Sequence, residues 1–195
     1  MYFDPMYFVF AVPPLLFGLW AQWKVKSAFG KYSNVANSTG YTGADIARRL
    51  LDSQGLRHVS VEAVPGELTD HYDPRAKVVR LSEATMYRNS VAAIGVVAHE
   101  VGHAIQDAEN YAPMRTRAAI LPVANIGSIL GPYIFMLGIF INMFGLALLG
   151  LLLFGGAALF QAVTLPVEYN ASNRAMRLLV DNGLDRKSTR LNSSH

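Results

Sequence analysis

Cysteine is absent from the 195 residues of this chain. Its absence excludes a disulfide scaffold and any thiolate metal site, and leaves imidazole and carboxylate as the available metal ligands. Charge is scarce too, with 16% of residues charged against 52% apolar. The formal charge of +3 is scattered along the chain, so no basic footprint marks a nucleic-acid surface and no nucleic-acid partner is expected. The charges are also unevenly placed. None lies between Arg117 and Glu168, a run of 50 positions long enough for two helices of about 20 residues to cross a bilayer. That run shows no polar face, which argues against two helices buried in a soluble core. No internal repeat is evident.

Residues 6–23 form an earlier hydrophobic segment, with Trp20 and Trp23 at its far end and Lys24 and Lys26 just behind. We read it as a membrane anchor. A cleaved leader is the competing reading, but the start Met-Tyr-Phe-Asp-Pro has no basic region and no Ala-x-Ala-like site precedes the lysines. Lys24, Lys26 and Lys31 follow the segment and only Asp4 precedes it. The positive-inside bias then places the N-terminus outside and the next region, residues 24–117, in the cytoplasm.

Within that region Gly30 to Gly43 is polar and loop-like. Thr42 and Asp45 have capping-box spacing ahead of a helix with Ile46, Leu50 and Leu51 on one face and a stop at Gly55. Val59 to Val64 alternates as a strand and turns at Pro65-Gly66. Glu67 to Arg75 reads as a polar loop, in which His71 and Asp73 are candidate ligands or donors, or simply hold the turn. Ala76 to Leu81 is expected to be a second strand whose edge could receive an extended substrate. Ser82 to Asn89 is a helix or turn, and Ser90 is a plausible N-cap.

The helix expected after Ser90 carries His99-Glu100-Val101-Gly102-His103. Four residues make about one helical turn, so both imidazoles project from one face and can share a cation. Glu100 lies beside that face, where a carboxylate can take a proton from water on the metal. The bland alternative is two satisfied core histidines beside an ion-paired glutamate. Small and apolar neighbours argue against it, because buried ionisable groups need partners.

A catalytic zinc usually has three protein ligands and an open position. A metzincin-like extension would need glycine at Gln106 and histidine at Glu109, so that pattern fails and leaves Glu109 as a weak candidate. Glu168 is the other answer, on a helix that Pro166 would open, with Glu168, Ala171, Ser172 and Ala175 on one face. Alternatively, Glu168 only caps that helix. Topology gives a separate check. Glu168 can meet His99 only if the chain crosses the membrane an even number of times between them, and the uncharged run fits two crossings.

Several stretches in this order resemble the YugP-type neutral zinc metallopeptidases, a family of bacterial membrane proteins. They are the Tyr-Phe-Asp-Pro start, Val64 to Pro74, Ala92 to Asp107, Pro122 to Ser128 and Thr164 to Glu168, and the resemblance covers most of Tyr2 to Leu184. More distantly the chain is similar to HtpX-like and prenyl-protein membrane endopeptidases, gluzincins whose third ligand is the Glu of a Glu-x-x-Ala-Asp motif. Matched residue by residue, Glu168 takes that ligand position, Ala171 the alanine, and Ser172 stands where the family has aspartate.

The resemblance implies a mainly α membrane protein with a small α+β zincin-like catalytic domain and about three transmembrane helices. The expected divisions are an anchor at 6–23, the cytoplasmic catalytic domain at 24–117, a transmembrane hairpin at 118–165 with its tip near Asn142 to Gly145, and a ligand helix at 166–184. Residues 185–195 look like a translated sequencing adapter rather than native sequence; family members continue here with another hydrophobic segment. The expected activity is a zinc-dependent endopeptidase with protein or peptide substrates. It would be multi-pass in the bacterial inner (plasma) membrane, with the catalytic domain facing the cytoplasm. His99, His103 and Glu168 would hold Zn²⁺, Glu100 would act as general base, and His71, Tyr72 or Arg174 would contact substrate or the developing oxyanion. The rival from another class is a non-catalytic, zinc-stabilised membrane adaptor or chaperone-like protein.

Overall fold

A computed structural model of the chain describes residues 6–184. The Tyr-Phe-Asp-Pro start and the 185–195 tail lie outside the described residues. Helix α1 spans Met6–Ser33 and α2 spans Gly43–Ser53. Three short strands follow, β1 at Ser60–Val64, β2 at His71–Asp73 and β3 at Val78–Ser82. The remaining helices are α3 (Glu83–Met86), α4 (Val91–Ala108), α5 (Ala112–Phe140) and α6 (Phe144–Asp181). The molecule is α-rich with a small α+β part.

The Thr42–Asp45 capping box forms reciprocally and starts α2, satisfying backbone donors that a helix start leaves bare. Gly55, at φ +73, takes the left-handed turn after it. Arg48 then ties α2 to the sheet, donating to the carbonyls of Leu56 and Val59. Ile46, Leu50 and Leu51 from α2 pack with Val79 and Leu81 from β3 and Val97, Ala98 and Val101 from α4 as a fully buried core.

The sheet order is β1-β3-β2, with β1 parallel and β2 antiparallel to β3. This corrects the expectation that the strand beginning near Ala76 offers its edge. β3 is central and paired on both sides; the outer strand near α4 is β2, which lies within the stretch read as a loop. Asp, His and Pro depress strand propensity, yet Tyr72 pairs with Val79 and its hydroxyl donates to Asp107 of α4 at 2.6 Å. Tertiary anchoring overrides the local preference.

The 50-residue uncharged run folds as a helical hairpin. Two helices are long and apolar enough to cross a membrane among the described residues, Ala112–Phe140 and Phe144–Asp181. The chain reverses at 141–143, where Asn142 adopts φ +57. Small residues let the two helices close up: a Cβ on Gly127 would come within 2.8 Å of the Leu153 carbonyl oxygen, and one on Gly131 within 2.8 Å of the Phe154 nitrogen. The expected helix start at Pro166 is not there. Proline suits a first turn, but α6 continues through it to Asp181, held on one side by α5 and on the other by α4. Likewise α1 runs on to Ser33, through the first residues of the stretch expected to be loop.

Candidate metal centre

Ser90 caps α4, its Oγ accepting from the Ala93 backbone N–H at 3.1 Å. One turn apart on that helix, His99 and His103 stand with ring centroids 4.8 Å apart, nearly edge to face. Helix α6 reaches them because Gly102 lets it close in: a Cβ there would sit 2.7 Å from the Ala171 carbonyl oxygen. This crossing brings Glu168, 69 residues beyond His99 in sequence, to both imidazoles. Its Oε2 lies 3.1 Å from His99 Nε2 and 3.4 Å from His103 Nε2. The three ligand atoms all lie within 4.8 Å of one another and could hold a metal ion.

The neighbours fit that role. His103 Nδ1 is 2.9 Å from Gln106 Oε1. The same amide, fully buried, donates through Nε2 to the Val167 carbonyl at 2.8 Å and to Asn170 Oδ1 at 2.9 Å. Because that nitrogen is the donor, Oε1 must accept from His103 Nδ1–H, which leaves Nε2 as the ring atom that faces Glu168 and would bind a metal. On the other imidazole, Ser172 Oγ is 3.3 Å from His99 Nδ1. The serine that replaces the expected aspartate thus still gives His99 a polar neighbour. Two imidazole nitrogens and one carboxylate oxygen are a donor set that suits zinc.

Glu100 faces the same cavity, 8% exposed. Burial pushes its carboxyl above the ordinary carboxylate range, only partly opposed by the charge of His103 and His99 and by a hydrogen bond from the Tyr72 backbone N–H. At His103 burial works downward, but Glu168, Gln106 and Glu100 outweigh it and the imidazole is held above its ordinary value. The cavity has a volume of about 320 Å³. Asp70, His71 and Tyr72 form one wall, and Met114, Arg117 and Leu121 of α5 form the wall toward the hairpin.

The other candidates separate clearly. His71 lines the cavity with Nδ1 2.8 Å from the Thr69 carbonyl. Tyr72 lines it too, but its hydroxyl is committed to Asp107, and burial together with that bond raises its pKa well above the ordinary value. Arg174 is not brought to the cavity. Its guanidinium instead meets Glu109 Oε2 at 2.7 Å and Asn170 Oδ1 at 2.7 Å, and this pairing also takes Glu109 away from the metal cluster. Asp73 binds the Arg75 and Ala76 backbone N–H groups and Arg80, so it holds the turn.

Arg117 was missed as a site residue. Its Nη1 lies 3.4 Å from Glu168 Oε1, and its buried Nε has no partner. Its sequence signal was present, since it is the last charge before the uncharged run. Asp70 was missed as well; its carboxylate accepts from the Ser82 backbone N–H at 2.8 Å, fixing the chain as it enters β2.

The family description "Putative neutral zinc metallopeptidase" matches residues 7–193. The chain is 49% identical over 184 residues to "Putative membrane protease YugP" of Bacillus subtilis (strain 168), an alignment covering 94% of this chain and 82% of that protein. No solved structure matches.

Proposed function

The chain belongs to the neutral zinc metallopeptidase family, and on that premise we propose that it is a membrane-bound endopeptidase that hydrolyses peptide bonds at the centre formed by His99, His103 and Glu168. One observation carries the reading: a carboxylate from the far side of the uncharged run meets both imidazoles beside a cavity that also contains Glu100. A site with only a structural role needs neither the cavity nor the base.

Bound zinc supplies the positive charge that acidifies a water and polarises the scissile carbonyl. Glu100 takes the proton from the attacking water and passes it to the amide nitrogen, so the C–N bond breaks with a neutral amine as leaving group. Gln106 and Ser172 orient the imidazoles through their Nδ1 atoms. Arg117 steadies Glu168 through Oε1 and, as a cation lining the cavity wall, is a donor for the developing oxyanion alongside His71. The open edge of β2 along this wall supports an extended peptide as the bound form.

In the bilayer we place three spans, in α1, α5 and α6, with the zincin-like domain on the cytoplasmic side of a bacterial plasma membrane. The length of α6 supports this arrangement. Its 38 residues extend about 57 Å at 1.5 Å per residue, well beyond a hydrocarbon core of about 30 Å. The end that carries Glu168 therefore emerges to meet α4. Cleavage of casein by the detergent-solubilised chain, abolished by a chelator and restored by zinc, is the expected result. No cleavage by a chain shown to contain zinc would overturn the reading.

A further inference from the structure

A second depression lies at the N-terminal end of α4. It is an apolar trough of about 440 Å³ between the end of α1 (Val25, Phe29), Leu68, and the first turns of α4 (Ala92, Gly95, Val96). Gly95 and Val96 precede His99 by four and three residues, so the trough lies on the same face of α4 as that ligand, one turn toward the N-terminus. Leu68 forms its rim in a left-handed conformation at φ +56, which is costly for a branched apolar residue. The side chain is 39% exposed, so core packing does not compensate for that backbone. Two residues later the chain passes Asp70 and enters β2 on the cavity wall, so one short stretch of chain runs from the trough to the cavity.

We infer that this trough is the specificity subsite of the peptidase: it receives a bulky apolar side chain of an extended substrate. The inference rests on the endopeptidase reading above and names its substrate class, polypeptide segments with a large aliphatic or aromatic residue close to the cleaved bond. The spacing follows from the helix. Val91 to Val96 stands roughly 5 to 12 Å from His99 along α4 at 1.5 Å per residue. An extended peptide advances about 3.3 Å per residue, which puts the recognised side chain roughly two to four residues from the scissile bond. The wall contributed by α1 comes from residues just past Trp23 and Lys24, at the expected membrane surface. Segments that leave the bilayer as apolar chain meet it there.

Gly95 makes the test clean, because a Cβ added there meets nothing within 4 Å and both alanine and phenylalanine have better helix propensity than glycine. Gly95→Phe fills the trough from its floor, and Gly95→Ala leaves it open. The probes are two sets of internally quenched peptides, identical except that Leu or Phe in one is Ala in the other, scanned over four positions on each side of the bond. With full-length, zinc-loaded protein, the wild type and Gly95→Ala should cut the bulky set faster at one position. Gly95→Phe should lose about 10- to 100-fold in kcat/KM on that set and change by less than about 3-fold on the alanine set, with zinc content and melting temperature unchanged. Equal slowing of both sets, or no change on either, as when lipid fills the trough, overturns this inference and leaves the peptidase reading standing. A zinc-loaded wild type that cuts neither set overturns both.

Discussion

The small sheet-and-helix domain and the α5–α6 hairpin are both rich in apolar residues, yet they place them oppositely. In the domain Ile46, Leu50, Leu51, Val79 and Leu81 are fully buried, as expected where water drives burial. In the hairpin Phe140 is 84% exposed, Phe144 81% and Tyr133 72%, and the residues between the helices are small, Gly127, Gly131 and Gly150 among them. That inversion is what helix packing in an apolar solvent would produce, and both helices are long and apolar enough to cross a membrane. The candidate site lies where the two regions meet: α4 supplies two imidazoles and the Glu100 carboxylate from the part with a buried apolar core, and α6 supplies a second carboxylate from the end of the hairpin with exposed apolar faces.

The comparison can be broken most severely by removing what one region lends the other. Glu168→Ala should weaken zinc binding by more than about 100-fold, beyond the 10- to 100-fold cost of losing a mere supporting residue, while far-UV dichroism is retained because Glu168 belongs to no core. A variant with full zinc content would sink the three-residue centre. Glu100→Gln should do the reverse, keeping zinc and losing about 10² to 10⁴ in kcat; undiminished turnover would remove it as the base.

Smaller changes sharpen the seam itself. Gln106→Leu removes the amide that joins His103 to Val167 and Asn170. Zinc affinity should fall about 10- to 100-fold with turnover recovered at excess metal, as metal titration will show. Gly102→Ala puts a methyl 2.7 Å from the Ala171 carbonyl oxygen, so α6 must move away. That should cost about 1 to 3 kcal/mol and loosen zinc binding while the sheet stays intact, measured by thermal melting and hydrogen exchange in α4 and α6. No change in either would mean that the helices tolerate separation.

How much of this was legible in advance follows from how local each cause is. The α2 cap, the Ser90 cap and the paired histidines depend on residues three or four apart, and periodicity reveals them. The hairpin was legible from a missing property, charge, over 50 positions. Non-local causes stayed hidden. β2 exists because Tyr72 is anchored to Asp107, 35 residues away, while its own composition favours a loop. α6 passes through Pro166 because it is packed on both sides, which no window around the proline records. Arg174 points to Glu109 rather than to the cavity, and Arg117 to Glu168, through a helix crossing set by Gly102 and Ala171.

A pH-dependent effect concerns how β2 is fastened beside Glu100. The Tyr72 hydroxyl donates to Asp107, and burial followed by that bond lifts its pKa above the ordinary tyrosine value. A group whose pKa is raised by folding contributes stability that is complete below its unfolded pKa, near 10 for tyrosine, and is lost as pH rises above it. Wild type should therefore exceed Tyr72→Phe by about 1.5 to 3 kcal/mol near pH 8, as for a hydrogen bond to a charged group. That gap should narrow by up to about 1.4 kcal/mol per pH unit above pH 10. Melting both proteins in detergent at pH 8, 10 and 11 measures it. A gap that stays constant would mean the hydroxyl is not held proton-bound in the fold. Loss of the bond should also loosen the Tyr72 backbone N–H on Glu100, so Tyr72→Phe should slow peptide hydrolysis severalfold with zinc content unchanged, linking the stability of the sheet edge to the placement of the base.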